Sequence, residues 1–210
     1  MANEKISGLY VIIDPDACRG RDTLEVARRA LEGGASMLQW RDKRREKGAQ
    51  LSQARALREL CAEHGALLIV NDHADLAQAA VADGVHVGQD DLPVEDVRRI
   101  VPAGFIVGAS TNSVAEALAA EAAGASYVAI GSIYPTSSKE PERTRAASPQ
   151  RLSEVKAAVG VPVVAIGGID ASNIEEVVRA GADAVAVISA VCGADDVTGA
   201  ARRLVEQLER

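Results

Sequence analysis

Residues 124–132 read Gly-Ala-Ser-Tyr-Val-Ala-Ile-Gly-Ser, and this short stretch contains the pattern that decides the fold. Gly124 follows a helix-forming stretch, and glycine readily adopts the left-handed conformation that ends a helix. An apolar run then begins at once. It is nearly continuous in apolar residues, which is typical of a strand that is buried on both faces of a parallel sheet. The stretch therefore predicts a helix that leads directly into a parallel strand.

The same unit recurs along the whole chain. Glycine-led joints lie at 34–36 and 181–183, and Asp83-Gly84 is a variant of them. Apolar runs of strand length occupy residues 9–14, 37–42, 67–72, 85–88, 106–110, 127–132, 161–168 and 184–189. The stretches between these runs carry apolar residues on one helical face and charges on the other, for example at 22–32, 51–63, 114–123 and 173–180.

About eight β-α units of roughly 26 residues each fit the size range of barrel units. A chain of this kind could also form an open, doubly wound sheet. The GxGxxG pattern of dinucleotide-binding sheets does not follow the first strand, which favours the barrel. No composition shift divides the chain. We therefore predict an α/β fold, a single (β/α)8 TIM barrel over residues 1–210.

Composition argues against several functional classes. The 210 residues include 30 acidic and 23 basic ones, for a net charge of -7, and only 2% are aromatic. We expect no nucleic-acid partner, because such proteins need a basic footprint and often stacking rings. We expect no membrane association, because no apolar run approaches the roughly 20 residues of a span. The N-terminal stretch shows no secretory signal, and the three cysteines are widely spaced, so we expect a cytoplasmic protein. A homo-oligomer is compatible with this sequence.

Polar residues gather where predicted strands end, which is where TIM barrels build their sites. The second run ends in Gln-Trp-Arg-Asp-Lys at 39–43. In an extended chain Gln39, Arg41 and Lys43 lie on one side, and an amide with two cations suits a polyanionic ligand. The alternative is a solvated charged loop, which we prefer for the three cations at 44–47.

Aspartates follow the third and fourth runs, as Asn71-Asp72 and Gln89-Asp90-Asp91. Carboxylates at neighbouring strand ends can share a hard cation such as Mg²⁺, which also takes oxygens from a substrate phosphate. Each aspartate could instead cap the following helix, since Asp is a favoured N-cap residue. Their place on adjacent strands beside a cationic strand end favours the metal.

The later strand ends carry hydroxyls and glycines. Ser110 ends the fifth run, and the sixth leads into a loop with Thr-Ser-Ser-Lys at 136–139, which is typical of a phosphate-contacting lid or of an ordinary turn. Phosphate sites in this fold often follow strands seven and eight, where Gly167-Gly168 and residues 187–190 lie. The glycine pair could equally serve tight packing. His86 lies inside a strand and is expected to be a core histidine.

No nucleophile or general base stands out from the spacing of these residues. A reaction that is driven by a leaving group suits such a site, because cations and a metal would stabilise a departing pyrophosphate with little covalent work for the protein.

At these residues the sequence resembles the thiamine-phosphate synthases. The motifs that carry the resemblance lie at 39–43, 70–72, 83–93, 131–136 and 165–169, in this order, and the likeness covers nearly the whole chain. The resemblance implies an alkyl transferase of thiamine biosynthesis. It would join a hydroxymethylpyrimidine pyrophosphate to a thiazole phosphate and release pyrophosphate, by dissociation of the leaving group before the thiazole nitrogen attacks.

The resemblance also implies site residues. The pyrimidine pyrophosphate would be bound by Gln39, Trp40, Arg41, Asp42, Lys43, Asn71, Ser110 and Lys139. Catalysis would involve Arg41, Lys43, Ser110 and Lys139. Mg²⁺ would be bound by Asp72 and Asp91. The thiazole phosphate would be bound by Thr136, Ser137, Ser138, Gly168, Ile188 and Ser189.

Some positions depart from the family pattern. In the second-strand motif, Trp40 stands where a smaller apolar residue is commoner, and Asp42 stands where Glu is commoner. Ser138 replaces a usual threonine, and the loop after Lys139 does not follow the common family sequence. The alternatives are a thiazole tautomerase of the same fold, which would use a histidine base and no metal, a non-catalytic thiamine-pathway binding protein, and a sugar-phosphate isomerase or epimerase. The aspartates and cations favour the synthase.

Overall fold

The structure, a computed structural model, describes residues 6–136 and 148–209. It contains a closed barrel of eight parallel strands in sequence order, so the predicted (β/α)8 TIM barrel is confirmed. The strands are β1 (Gly8–Ile13), β2 (Met37–Trp40), β3 (Leu67–Asn71), β4 (Gly84–Val87), β5 (Ile106–Thr111), β6 (Tyr127–Gly131), β7 (Val163–Ile166) and β8 (Ala184–Val187).

Helices alternate with the strands and surround the barrel. They are α1 (Thr23–Glu32), α2 (Lys47–Glu63), α3 (Ala74–Ala79), α4 (Val94–Ile100), α5 (Val114–Ala122), α6 (Pro149–Ala158), α7 (Ile174–Arg179), α8 (Ser189–Cys192) and α9 (Val197–Leu208). Within the ranges that the structure describes, none of these helices has the length and apolar character required to cross a bilayer.

Pairing of the first strand with the last closes the barrel. Tyr10 of β1 lies opposite Met37 of β2 on one side and opposite Ala186 of β8 on the other. Because successive side chains of a strand point to opposite faces, this register divides the apolar residues between two cores. One core fills the barrel interior and includes Tyr10, Met37, Ile69, Ile106, Tyr127 and Val164. The larger core lies between the strands and the helices.

The predicted joints have the expected backbone conformation. Gly34, Gly124 and Gly181 adopt φ angles of 97°, 96° and 95°. In two of these joints the side chain of the last residue also accepts a hydrogen bond from the neighbouring strand. The Ser126 hydroxyl accepts from the Val107 N–H at 3.1 Å, and the Asp183 carboxylate accepts from a backbone N–H of β7. Each joint therefore ends a helix and starts the next strand in register.

The variant joint at Asp83-Gly84 differs from the prediction. Gly84 is not left-handed; it lies in β4, and a Cβ there would meet the Ile106 carbonyl oxygen at 2.5 Å. The left-handed position is occupied by Val81, whose φ is 55°. Asp83 then accepts from the Leu68 N–H at 2.8 Å, as Ser126 does for β5. The joint is thus Val81-Ala82-Asp83, and Gly84 is required by close strand packing.

Val81 provides a test of this assignment, because a β-branched residue is strained in the left-handed region and its side chain is 73% exposed. We expect Val81→Gly to raise the free energy of unfolding by about 1 kcal/mol. Gly124→Ala is the matched control and should lower it, since that joint is left-handed with only ordinary contacts around a Cβ. Urea denaturation measures both, and a loss of stability in Val81→Gly would contradict the assignment.

Candidate active site

A cavity of about 1060 Å³ opens at the carboxyl ends of the strands. It gathers most of the residues that the sequence analysis assigned to the pyrimidine and metal sites, namely Gln39, Arg41, Lys43, Asn71, Asp72, Asp91 and Ser110. A smaller cavity of about 330 Å³ adjoins it at the ends of β6, β7 and β8. The two cavities adjoin, because they share four lining residues: Ile166, Ala186, Ile188 and Ser189.

The end of β2 divides its residues between the cavity and the core. Gln39, Arg41 and Lys43 line the cavity, as the alternation of an extended chain predicts. Trp40 points the other way, is 1% exposed, and belongs to the core between strands and helices. Asp42 accepts from the backbone N–H groups of Arg44 and Arg45, at 2.8 and 3.2 Å. In contrast to the expected substrate contacts, neither the Trp40 nor the Asp42 side chain lines the cavity: Trp40 packs in the core, and Asp42 holds the backbone that follows β2.

An ion pair that the sequence analysis missed holds one of the cavity cations. Asp14, the residue after β1, pairs with the guanidinium of Arg41. The Arg41 and Asp14 side chains are 16% and 9% exposed, so the pair is largely removed from water. The second Asp14 oxygen accepts from the Asp16 N–H at 2.9 Å. This pair fixes where Arg41 presents its remaining N–H donors, and the only signal for it in the sequence is the position of Asp14 at a strand end.

The two aspartates expected to bind metal lie together and do not cap helices. The N-cap positions of α3 and α4 are His73 and Pro93. Asp72 has a left-handed φ of 62°, and Asp91 turns back so that its carboxylate accepts from the Gly88 N–H at 2.7 Å. The Asp72 and Asp91 carboxyls lie close enough for Asp91 to raise the pKa of Asp72. The helix-capping alternative is therefore excluded for both residues.

The smaller cavity contains four of the residues expected at the thiazole phosphate: Thr136, Gly168, Ile188 and Ser189. Ser137, Ser138 and Lys139 lie outside the described residues. Gly167 and Gly168 have φ angles of 102° and 64°. A Cβ on Gly168 would meet the Pro135 carbonyl oxygen at 2.6 Å. The glycine pair therefore serves tight packing between two loops, and it lines the cavity as a result.

His86 is a buried histidine with hydrogen bonds on both ring nitrogens, as expected for a core position. Its Nδ1 lies 3.0 Å from the Tyr127 hydroxyl, and its Nε2 lies 2.9 Å from the Ser110 hydroxyl. It nevertheless lines the larger cavity, together with Tyr10. The sequence analysis did not assign these residues to the site, because a tyrosine or histidine inside an apolar strand resembles any other core residue.

Comparison with known proteins shows the family to which this chain belongs. A family model described as thiamine monophosphate synthase matches residues 9–191. A thiamine-phosphate synthase of Methanoculleus marisnigri is 52% identical, over 95% of this chain and 94% of the relative. The chain belongs to the thiamine-phosphate synthase family. A thiamine-phosphate synthase of Shouchella clausii is 44% identical, over 96% of each chain.

Solved structures agree with this membership. The thiamine phosphate pyrophosphorylase of Pyrococcus furiosus superposes with a TM-score of 0.90 at 40% identity, covering 99% of this chain and 97% of that one. A 3-hexulose-6-phosphate synthase superposes at 0.70 with 19% identity, which shows a shared barrel alone. Members of the thiamine-phosphate synthase family are alkyl-transferring enzymes of thiamine biosynthesis, and this chain is one of them.

The aspartate pair fits the cation that the synthase family implies. Burial, the charge of Asp91 and the hydrogen bond to its carboxyl raise the pKa of Asp72 to about 6. Lys43 and Arg41 act in the opposite direction without cancelling the effect. Two neighbouring carboxyl groups offer hard oxygen ligands for Mg²⁺, which needs only one or two from the protein when substrate phosphate supplies others. Within residues 6–136 and 148–209, no group of three or more His, Cys, Asp or Glu side chains is placed to hold a metal ion.

The raised pKa of Asp72 implies a stability cost that can be measured without metal. Asp72 favours folding when it is protonated, and this contribution is lost as pH rises through about 6. Asparagine cannot ionise and tolerates a left-handed φ. We expect Asp72→Asn in EDTA to be more stable than the wild type at pH 8, by roughly 1–2 kcal/mol after allowance for screening, with no difference below pH ~4.

Urea denaturation at pH 8 and pH 4 checks this expectation. Asp195→Asn is the control, because the Asp195 side chain is fully exposed, and it should leave the midpoint unchanged. If Asp72→Asn is no more stable than the wild type at pH 8, the carboxylate pair does not lower the free energy of unfolding, and the expectation is wrong.

Proposed function

We propose that this synthase joins 4-amino-2-methyl-5-hydroxymethylpyrimidine pyrophosphate to a thiazole phosphate and releases pyrophosphate, with Mg²⁺ as cofactor. The observation that carries the proposal is the pair of adjoining cavities. One combines two cations with an aspartate pair, and the other is lined by glycines and a serine hydroxyl. Both substrates are anionic and must meet, and adjoining cavities of these chemistries suit them. Three free, buried cysteines suit a reducing, cytoplasmic location.

In this proposal the larger cavity takes the pyrimidine substrate. Arg41 and Lys43 bind the pyrophosphate, and the Asp14 ion pair holds the Arg41 guanidinium in place. The pyrimidine ring, and the oxygen that joins it to the pyrophosphate, are contacted by Gln39, Asn71 and Ser110. The resemblance to the family adds Lys139 as a third cation that binds this substrate.

Asp72 and Asp91 would hold Mg²⁺ beside these cations. When bound, the ion supplies charge that neutralises the pyrophosphate as it departs. Asp91 is oriented for this by the Gly88 N–H, and Asp72 by its own N–H, which donates to the His86 carbonyl at 2.7 Å.

The smaller cavity takes the thiazole phosphate, which is bound by Thr136, Gly168, Ile188 and Ser189. The resemblance to the family adds Ser137 and Ser138 to this set. Anchoring both anions orients the thiazole nitrogen toward the methylene carbon of the pyrimidine. The carbon–oxygen bond to pyrophosphate breaks with its electron pair, leaving a pyrimidine-methyl cation, and the nitrogen lone pair then forms the carbon–nitrogen bond. No proton is removed, so the reaction needs no protein base. The residues bind, orient and exclude water.

A pyrophosphate-release assay tests the proposal. We expect release only when both substrates and Mg²⁺ are present. Asp72→Ala and Asp91→Ala should each lower Mg²⁺-dependent turnover by roughly 100-fold or more, because the charge stabilisation of a bound metal is lost. Circular dichroism would verify that the variants fold. Wild-type turnover of Asp72→Ala in limiting Mg²⁺ would overturn the metal assignment, and thiazole isomerisation alone would indicate a tautomerase.

The division of the site into two substrate regions is tested with Arg41→Ala. We expect its KM for the pyrimidine pyrophosphate to rise by roughly 10- to 100-fold, the effect of losing charge-assisted hydrogen bonds, with a far smaller change for the thiazole phosphate. Lys47→Ala removes an exposed cation of the following helix and should change neither KM. An equal loss for both substrates in Arg41→Ala would argue against the division.

A further inference from the structure

A single chain of hydrogen bonds crosses the barrel interior below the larger cavity. Gln39 donates from its amide nitrogen to the Tyr10 hydroxyl at 2.7 Å. The Tyr10 and Tyr127 hydroxyls lie 3.2 Å apart. Tyr127 then contacts Nδ1 of His86 at 3.0 Å, and Nε2 of His86 contacts Ser110 at 2.9 Å. The chain thus begins and ends on Gln39 and Ser110, two residues of the expected pyrimidine set that line the larger cavity.

The middle of this chain is sealed from solvent. Tyr10 and Tyr127 are 2% and 0% exposed. Burial raises the pKa of both phenols well above the ordinary value, so each retains its hydrogen. A buried hydroxyl hydrogen needs an acceptor, because leaving it without one costs the full desolvation of the group. Each phenol must therefore donate to a neighbour in the chain.

This requirement gives every hydrogen bond in the chain one direction. Tyr10 accepts from the Gln39 amide and so donates to Tyr127. Tyr127 consequently donates to Nδ1 of His86, which must be an acceptor. A neutral imidazole with an acceptor at Nδ1 carries its hydrogen on Nε2, which donates to Ser110.

The directed chain determines what its ends offer to a ligand. The Gln39 nitrogen is engaged with Tyr10, so its carbonyl oxygen is presented to the cavity as an acceptor. Ser110 accepts from His86, so its hydroxyl hydrogen is left to donate to a substrate atom. Without the chain, an amide can present either its oxygen or its nitrogen, and a hydroxyl can donate or accept.

Ring packing keeps the chain in place. Tyr127 stacks on His86 with ring centroids 5.6 Å apart, and it meets Tyr10 edge-on at 6.3 Å. Gly108 makes room for this, because a Cβ there would lie 2.1 Å from the Tyr127 ring. The rings therefore hold the hydroxyls at fixed positions, and loss of a single oxygen breaks the chain without removing the packing.

We propose that Tyr10, Tyr127 and His86 are positioning residues that hold Gln39 as an acceptor and Ser110 as a donor toward the cavity. A ring edge with an N–H donor then binds at Gln39, as the amino group of an aminopyrimidine does, and a carbonyl at the same position is rejected. The identity of this ligand rests on the proposed function. The direction of the chain rests on the contacts alone.

The direction is tested on the full chain without substrate. Nitrogen-15 chemical shifts of labelled histidine report which ring nitrogen carries the hydrogen, and His86→Gln assigns the signal. We expect neutral His86 with its hydrogen on Nε2, and a mixture of tautomers in Tyr127→Phe. A wild-type hydrogen on Nδ1, a doubly protonated ring, or an unchanged signal in Tyr127→Phe would overturn the proposal.

The consequence for specificity is tested with 4-amino-pyrimidine pyrophosphate and its 4-oxo analogue. We expect Tyr127→Phe to reduce the preference for the amino substrate in kcat/KM by roughly tenfold, the effect of one buried hydrogen bond, while KM for the thiazole phosphate stays unchanged. Tyr134→Phe is the matched control, since that hydroxyl donates to Glu176 at 2.7 Å outside the barrel, and it should keep the wild-type preference.

Equal preferences in Tyr127→Phe and Tyr134→Phe would overturn the specificity role. Tyr10→Phe breaks the chain at another bond and should reproduce Tyr127→Phe, so poor folding of one variant leaves the test intact. A wild-type protein that uses neither pyrimidine refutes the proposed function, whereas the histidine measurement stands independently of it.

Discussion

Closure of the barrel by pairing of β1 with β8 is the constraint on which the rest of the structure depends. Closure brings the carboxyl ends of all the strands to one rim, so polar residues that are far apart in sequence meet there. It also gives every strand an inside and an outside. Gln39 and Trp40 are neighbours in sequence, yet one lines the cavity and the other is core.

The rim carries both signs of charge, and the protein's own residues do not balance them completely. Arg41 is paired with Asp14, whereas Asp72 and Asp91 face each other. Like charges at close range destabilise each other unless a cation lies between them. The same carboxylates that suit Mg²⁺ thus reduce the stability of the metal-free protein, a common exchange of stability for function.

The barrel interior has a second polar feature, which differs from the rim in being fully balanced. Tyr10, Tyr127 and His86 satisfy one another by hydrogen bonds and ring contacts, with Gln39 and Ser110 at the ends. Buried polar networks of this kind are rigid when every member has a partner. In the proposed function, the charged rim would stabilise the leaving group, and the uncharged donors and acceptors of the barrel interior would recognise the pyrimidine ring.

The sequence alone determined the fold, because apolar runs, helical faces and glycine joints are local patterns that repeat. It also determined which side of β2 carries Gln39, Arg41 and Lys43, since alternation is a property of a single strand. Local patterns failed where a joint had two solutions, as at Val81 and Gly84. The family resemblance assigned the whole 39–43 segment to the substrate, whereas the alternation along β2 separates Trp40 from the cavity residues. Only the tertiary structure decided that Asp72 and Asp91 meet and cap no helix, that Asp14 holds Arg41, and that Tyr10 reaches Tyr127 across 117 residues of chain. These contacts join different strands, and their geometry exists only once the barrel has closed.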